Sequence, residues 1–164
     1  MLKTCSSLNR IFCEEDAVLI NSGTCLSNES FAFQVMVKSS VTATLPIKVD
    51  GGLATKTYLV KKHVGGGPER FKQDDYYVNA PDNLYPEILE EITSVNLTAN
   101  EIATLFIEIP ATEKPQGEHK ITITVGEEKA NFTLKVKAEK LIDTDLILTN
   151  WFHCDGICNY FKVE

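Results

Sequence analysis

A strict two-residue alternation of apolar and polar side chains is the feature that most constrains the fold of this chain. Alternation of period two places successive side chains on opposite faces of a strand, so each such segment should have one face on a core and one in water. The predicted core-facing sets are Phe31, Phe33, Val35 and Val37; Val41, Ala43, Leu45, Ile47 and Val49; Leu105, Ile107 and Ile109; Ile121, Ile123 and Val125; and Ala130, Phe132, Leu134 and Val136.

Turn-forming residues separate these predicted strands. Gly126 within VGEEKAN predicts a hairpin loop, and Asp50-Gly51-Gly52 predicts a tight turn. Pro46 inside an alternating run predicts an edge strand or a bulge, because proline lacks the backbone N–H that a central strand donates. Several short strands at this spacing, with few helical runs, predict an all-β fold, and specifically an antiparallel immunoglobulin-like β-sandwich.

Two segments depart from the alternation. The stretch from His63 to Ile92 carries Gly65-Gly66-Gly67-Pro68 near its start. It predicts a surface excursion with one helical turn after Pro86. The run Leu146-Ile147-Leu148 is continuously apolar, which favours a strand buried on both faces, as in a parallel sheet. We therefore predict a β-sandwich domain over residues 1–140 and a junction to a different domain over residues 141–164.

Charge and composition restrict the partners and the compartment. The net charge of −7 argues against nucleic acid and against anionic membranes, and no segment approaches the length of a membrane span. The first residues lack the apolar core of a signal peptide, so a cytoplasmic location is expected unless a leader has been removed. An odd number of cysteines predicts mostly free thiols rather than a disulfide framework. The five are Cys5, Cys13, Cys25, Cys154 and Cys158.

The segment NWFHCDGICNY, residues 150–160, concentrates reactive residue types. A structural zinc ion needs four ligands, usually from two separated pairs, whereas His153, Cys154, Asp155 and Cys158 all lie in one short segment. Neighbouring residues rarely form a nucleophile–base pair, and the C-x-x-x-C spacing differs from the redox motif C-x-x-C. We therefore predict no metal, no cofactor and no catalytic residue, with zinc and a regulatory disulfide as the weaker alternatives.

Three stretches resemble the N-terminal region of large glycoside hydrolases of the family-123 type. They are LTNWFHCDGICNYFKVE, NLYPEIL and IPATEKPQGEHKITITV. The junction segment is the most specific of the three. In NLYPEIL, the family's tyrosine–proline–acidic–leucine pattern corresponds to Tyr85 through Leu89, with Ile88 as an added residue before the leucine.

The resemblance implies that a β-sandwich precedes a (β/α)8 barrel absent from these 164 residues. Known family members use an adjacent Asp-Glu pair in the barrel, with the substrate's acetamido group as nucleophile, and no residue here matches that pair. The implied function is a non-catalytic accessory domain whose partner is its own catalytic barrel. We expect Trp151, His153 and Asp155 to lie nearest the substrate cleft; they alternate in sequence, so an extended strand would project all three to the same side.

Two other functions remain open. An independent carbohydrate-binding module would bind a glycan through exposed aromatic side chains on one sheet face, and Tyr76 and Tyr77 are its candidates outside the tail. An immunoglobulin-like interaction domain is the third possibility. The segment from residue 150 to residue 160 has an alternative interpretation without a binding role, in which Trp151 belongs to the core and the His153–Asp155 pair caps the end of a strand. His63 and His119 have no evident partner in the sequence.

Overall fold

The computed structural model describes residues 1–65 and 84–142 of the chain. The strands are β1 (Leu2–Ser6), β2 (Ser22–Leu26), β3 (Phe31–Lys38), β4 (Ala43–Asp50), β5 (Lys56–Val64), β6 (Leu84–Glu91), β7 (Ser94–Leu97), β8 (Ile102–Ile109), β9 (Gly117–Val125) and β10 (Glu128–Lys137), with a 3₁₀ turn at Glu14–Asp16. The described residues contain no α-helix and no helix able to cross a membrane. The predicted all-β fold is confirmed.

The strands form two five-stranded sheets. Sheet I has the order β1-β3-β8-β5-β6, and sheet II has the order β2-β10-β9-β4-β7. The two sheets share one apolar core, in which the rings of Phe33 and Phe132 stack with centroids 4.1 Å apart. Two sheets facing each other across one core is the arrangement of a β-sandwich.

The alternation identified the core-facing side of most strands. Phe33, Val35 and Val37 of β3 are buried, and so are the inward residues of β8, β9 and β10. In β4, Leu45, Ile47 and Val49 are partly buried against the same core, whereas Val41 precedes the strand and is 61% exposed. Burial of each large aliphatic or aromatic side chain contributes about 1.5–3 kcal/mol, so these positions dominate the stability of the fold.

One pair of strands corrects the antiparallel prediction. β10 pairs with β2 in parallel, from Thr133 opposite Ser22 to Lys137 opposite Leu26, while the other strand pairs are antiparallel. The alternation of side chains is the same in both pairings, because strand direction depends on how distant segments meet. The sequence therefore could not reveal that sheet II is mixed.

The helical turn predicted after Pro86 is wrong, because Leu84–Glu91 forms strand β6 at the edge of sheet I. Its ladder with β5 shifts register between Lys61 and Lys62, where Ile88 pairs with Lys61 and Pro86 pairs with Lys62, so Glu87 is the extra residue of a bulge. An edge strand with a bulge accommodates a proline, since the missing N–H need not bond to a neighbour.

The outward face of β3 is covered, although the alternation predicted that it lies in water. Gln34 is 5% exposed and Met36 is fully buried, because residues between β1 and β2 cover this face. Met36 packs with Cys5 and Ile11 in a second, smaller apolar cluster. The covering segment carries no periodic signal, so alternation within β3 alone could not predict it.

The turn signals have mixed outcomes. Gly126 adopts a positive φ of 60° in the β9–β10 hairpin, as predicted. At Asp50-Gly51-Gly52 the chain bends, with Gly52 at φ 71°, and it crosses there from sheet II to sheet I. Pro46 lies where β4 changes partner, because residues 43–46 pair with β7 and residues 47–50 pair with β9.

Candidate functional site

The binding residues predicted from the sequence lie outside the described part of the chain. Trp151, His153 and Asp155 all fall in the segment after residue 142, and so do Cys154 and Cys158. Tyr76 and Tyr77 fall in the segment between residues 65 and 84. These assignments stay predictions, and the candidate site described below is built from other residues.

A cleft of about 870 Å³ lies on the outer face of sheet I. Its floor consists of Val60 on β5, Leu89 on β6 and Phe106 on β8, side chains from three adjacent strands. Its wall is the segment that follows β1, including Leu8 and Phe12. We call this feature the outer cleft. Its volume is within the range of small-molecule sites, which are concave and mostly apolar with a few polar groups.

Hydrogen bonds hold the wall of the outer cleft in place. The side-chain amide of Gln34 donates to the carbonyl oxygens of Ser6 and Asn9, both at 2.8 Å. Asp16 accepts bonds from the backbone N–H groups of Phe12 at 3.0 Å and Cys13 at 2.9 Å. Gln34 is buried, so the two bonds also satisfy an amide that would otherwise be costly to remove from water. The wall is therefore fastened at both ends.

Charged side chains meet at the rim of the outer cleft. Arg10 on the wall forms an ion pair of 2.6 Å with Glu87 on β6, and the Nε2 atom of His63 lies 3.2 Å from the same carboxylate. Glu87 is the bulge residue of β6, and its carboxylate contacts both partners. Arg10 and Glu87 are 52% and 37% exposed, so the pair contributes little to stability but offers donors and acceptors to a ligand.

Aromatic rings border the same region. Phe12 on the wall meets Tyr85 edge to face with centroids 6.3 Å apart, and Tyr58 meets Phe106 in the same manner at 6.4 Å. The Tyr58 hydroxyl donates to Glu108 at 2.9 Å, and this hydrogen bond raises the pKa of the phenol. Of these four rings, Phe12 and Phe106 line the cleft and are partly buried, so they give it apolar surface that suits contact with the apolar face of a ligand.

The thiol and the possible metal ligands near the outer cleft bear on whether it meets the requirements of a nucleophilic or a metal site. Cys13 lies at the wall, but hydrogen bonds to the carboxylates of Glu15 and Asp16 raise the pKa of its thiol, so it is not an activated nucleophile. Within residues 1–65 and 84–142, no group of three or more His, Cys, Asp or Glu side chains could hold a metal ion. The described cysteines Cys5, Cys13 and Cys25 are free.

Sequence reasoning missed most of this site. His63 had no evident partner, yet β5–β6 pairing brings it to Glu87. Arg10, Phe12 and Gln34 carried no motif, and the family resemblance drew attention to the segment from Tyr85 to Leu89 without indicating its partners. His119 bonds the carbonyl oxygen of Pro115 at 2.8 Å, remote in sequence from the cleft residues. The His119 contact is local, whereas the contacts of Arg10, Gln34 and His63 join segments far apart in the chain.

Comparison with known proteins gives a fold and no family. No family model matches the chain, and no curated protein matches it. Among solved structures it is similar to a family 123 glycoside hydrolase from Clostridium perfringens, described for glycolipid glycan hydrolysis, with a TM-score of 0.59 and 16% identity. The similarity covers 87% of this chain and 28% of that hydrolase, so the chain spans less than a third of the relative's length.

Two further structures are less similar. Domains 4 and 5 of the S-layer protein SbsC match at TM-score 0.35 and 10% identity, over 73% of this chain and 49% of that one. The N-terminal domain of PorA matches at TM-score 0.36 and 13% identity, over 85% and 100%. The similarity to the hydrolase, at its low identity, shows the fold alone.

Proposed function

We propose that this chain is a non-catalytic accessory domain of a larger glycoside hydrolase. The observation that carries the proposal is the shared fold with part of a family 123 hydrolase, of which this chain spans 28%. The sequence resemblance in NLYPEIL and in the tail supports the same assignment. The domain spans residues 1–140, and residues 141–164 form its junction to a catalytic (β/α)8 barrel, which is the partner of the sandwich.

In this proposal Trp151, His153 and Asp155 contribute to one wall of the substrate cleft of the full enzyme. An indole ring stacks on a sugar face, while imidazole and carboxylate groups hydrogen-bond to hydroxyl groups. None of the three is assigned a catalytic role, because the adjacent carboxylate pair implied by the family resemblance has no counterpart in this chain. The fold alone does not determine which sugar is bound.

The coding sequence that follows Glu164 tests the accessory-domain proposal most directly. We expect an open reading frame encoding a (β/α)8 barrel of about 250 residues, with adjacent acidic residues at a strand end. A stop codon directly after Glu164 in the native gene would contradict the proposal. Incubation of this chain with aryl N-acetylhexosaminides is the companion measurement. No release of the aryl group is expected, and turnover that scales with enzyme concentration would show that the chain is itself catalytic.

A second candidate function, glycan binding by the domain itself, is favoured by the outer cleft. Its apolar floor at Leu89 and Phe106 fits the C–H face of a sugar ring, and the Arg10–Glu87 pair at its rim offers both donors and acceptors. The pair is balanced in charge, so it suits a neutral ligand better than an ion. This cleft differs from the aromatic pair Tyr76 and Tyr77 predicted for the same function.

A glycan array with this chain and two matched variants tests the second candidate. Leu89 and Ile88 are adjacent on β6 and are 47% and 46% exposed, but only Leu89 lines the outer cleft. If the cleft binds glycans, Leu89→Ala weakens retention severalfold and Ile88→Ala leaves it unchanged. Absence of retention across neutral glycans, or equal losses in both variants, would contradict this function and leave the accessory-domain proposal in place.

A further inference from the structure

Three separate segments converge where the chain leaves sheet II. They are the turn between β2 and β3 (residues 27–30), the connection between β8 and β9 (residues 110–116), and residues 138–142 after β10. The backbone N–H of Ser27 donates to the carbonyl oxygen of Glu139 at 3.0 Å, and the N–H of Lys114 donates to the carbonyl oxygen of Ser27 at 2.8 Å. The turn thus lies between the other two segments and is bonded to both.

The side-chain amide of Asn28 binds both backbone polar groups of Leu141. Its Oδ1 atom accepts the N–H of Leu141 at 2.7 Å, and its Nδ2 atom donates to the Leu141 carbonyl oxygen at 3.0 Å. One side chain therefore supplies the donor and the acceptor that a neighbouring strand would supply to this residue. The pairing joins positions 113 residues apart in sequence, so it constrains the chain far more than a local turn contact would.

Polar contacts also hold the connection between β8 and β9, to which the turn carrying Asn28 is bonded. Lys114 is only 5% exposed, and its ammonium group donates to the carbonyl oxygens of Pro110 at 2.9 Å and Thr112 at 2.8 Å. These bonds close the connection between β8 and β9 on itself. Ser27, which bonds to both Lys114 and Glu139, is also buried. The turn that carries Asn28 is therefore attached to a rigid support.

Apolar burial does not account for the order of residues 141 and 142. Leu141 is 53% exposed and Ile142 is 81% exposed, so neither side chain is held by the core. The ion pair between Lys140 and Glu113 is short, at 2.6 Å, but both side chains are more than half exposed, and such pairs contribute little. The hydrogen bonds from Ser27 to Glu139 and between the Asn28 side chain and Leu141 hold this segment instead.

We infer that Asn28 is a positioning residue that fixes the path of the chain as it leaves sheet II. Residues 138–142 then follow a fixed path instead of forming a flexible tether. The functional consequence of this contact rests on the proposed function. In an accessory domain joined to a catalytic barrel, the Asn28 contact sets the orientation in which the two domains meet. Asn28 is also the first residue of an N-glycosylation acceptor pattern, Asn-Glu-Ser, but its Nδ2 atom is already hydrogen-bonded to Leu141.

Hydrogen exchange at the Leu141 amide tests this role, with Asn28→Ala as the variant and Asn96→Ala as its control. The side-chain oxygen of Asn96 also accepts a hydrogen bond, from the Thr44 hydroxyl at 2.7 Å. Asn96 lies on β7 and has no contact with Leu141 among the hydrogen bonds described, so it serves as the control. In Asn28→Ala we expect Leu141 to exchange roughly tenfold faster, the factor that corresponds to loss of one or two hydrogen bonds. Unchanged exchange at Val136 in β10 shows that the sheet remains folded.

Limited proteolysis gives a second readout of the same contact. Trypsin cleaves after lysine, and the bond after Lys140 lies within the segment held by Asn28 and Ser27. We expect faster cleavage there in Asn28→Ala and unchanged cleavage in Asn96→Ala, measured by mass spectrometry. Asn28→Asp retains the acceptor for the Leu141 N–H but replaces the donor by an acceptor, so its exchange rate should lie between those of the wild type and Asn28→Ala.

The outcomes separate this inference from the proposed function. If Asn28→Ala leaves both Leu141 exchange and cleavage after Lys140 unchanged, or if Asn96→Ala raises them equally, Asn28 is not a positioning residue. That result would leave the accessory-domain proposal standing. A stop codon after Glu164 would instead remove the accessory-domain proposal, while a protected Leu141 amide would still establish the Asn28 contact.

Discussion

The three described cysteines differ in what surrounds their sulfur atoms. Burial raises the pKa of the Cys5 and Cys25 thiols, because a thiolate loses its hydration in an apolar core. Cys13 is exposed, and its pKa is raised instead by hydrogen bonds to the carboxylates of Glu15 and Asp16, which stabilise the protonated thiol. All three are therefore weaker nucleophiles than an ordinary free cysteine.

Alkylation of Cys13 by iodoacetamide tests this at the scale of one residue. The Glu15→Gln variant replaces the carboxylate that most favours the protonated thiol by a neutral, weaker acceptor, so the pKa of Cys13 falls and more thiolate is present at pH 8. We expect alkylation roughly threefold faster, since the rate follows the thiolate fraction. Peptide mass spectrometry identifies the modified cysteine. Glu14→Gln is the control, because Glu14 bonds to Lys3 and its loss should change the rate much less.

At the scale of secondary structure, the β9–β10 hairpin depends on a backbone conformation available to glycine. Gly126 has a φ of 60°, and its N–H donates to the carbonyl oxygen of Pro46 at 3.1 Å, which connects the hairpin to β4. A Cβ atom at this position would lie 3.2 Å from the nearest carbon of Leu45. A side chain at position 126 would therefore strain the turn and also crowd the Leu45 side chain on β4.

Gly126→Ala is expected to lower the free energy of unfolding by roughly 1–2 kcal/mol, the cost of a left-handed conformation for a residue with a Cβ atom. Urea unfolding measures this difference. Glu127→Ala is the matched control, because residue 127 is exposed and has an ordinary φ. Equal stabilities of the two variants would show that the turn relaxes without cost and that Gly126 is not required there.

At the scale of the whole molecule, the core belongs to both sheets. Leu105 and Ile107 from sheet I pack in the same buried cluster as Ile121, Ile123 and Leu134 from sheet II. The inner apolar face of each sheet is covered by the other sheet. The two sheets should therefore unfold as one cooperative unit, as small single domains usually do.

Native-state hydrogen exchange of Ile123→Val tests this cooperativity. The substitution removes one buried methyl group from sheet II, which costs about 1 kcal/mol. We expect the slowest-exchanging amides of β8, in sheet I, to lose the same opening free energy as those of β9. The reciprocal variant Ile107→Val should lower both sets equally as well. A loss confined to the mutated sheet would show that the sheets open independently.

The sequence alone determined which residues face the core in the regular strands. Alternation is a local property, because a strand with one buried face must place an apolar side chain at every second position whatever its partner is. Phe33, Ile107, Ile123 and Phe132 were identified in this way, and the all-β class followed from them. The local backbone requirement at Gly126 was equally readable, since positive φ favours glycine.

Only the tertiary structure decided which segments meet. The parallel β2–β10 pair, the strand at Leu84–Glu91, the covering of Gln34 and the Asn28–Leu141 contact each depend on segments far apart in the chain. The outer cleft arises in the same way, from a wall near the N-terminus and a floor of three strands. Polar loop residues carry no periodic pattern, because their partners are chosen by the packing of the sheets and not by their neighbours in sequence.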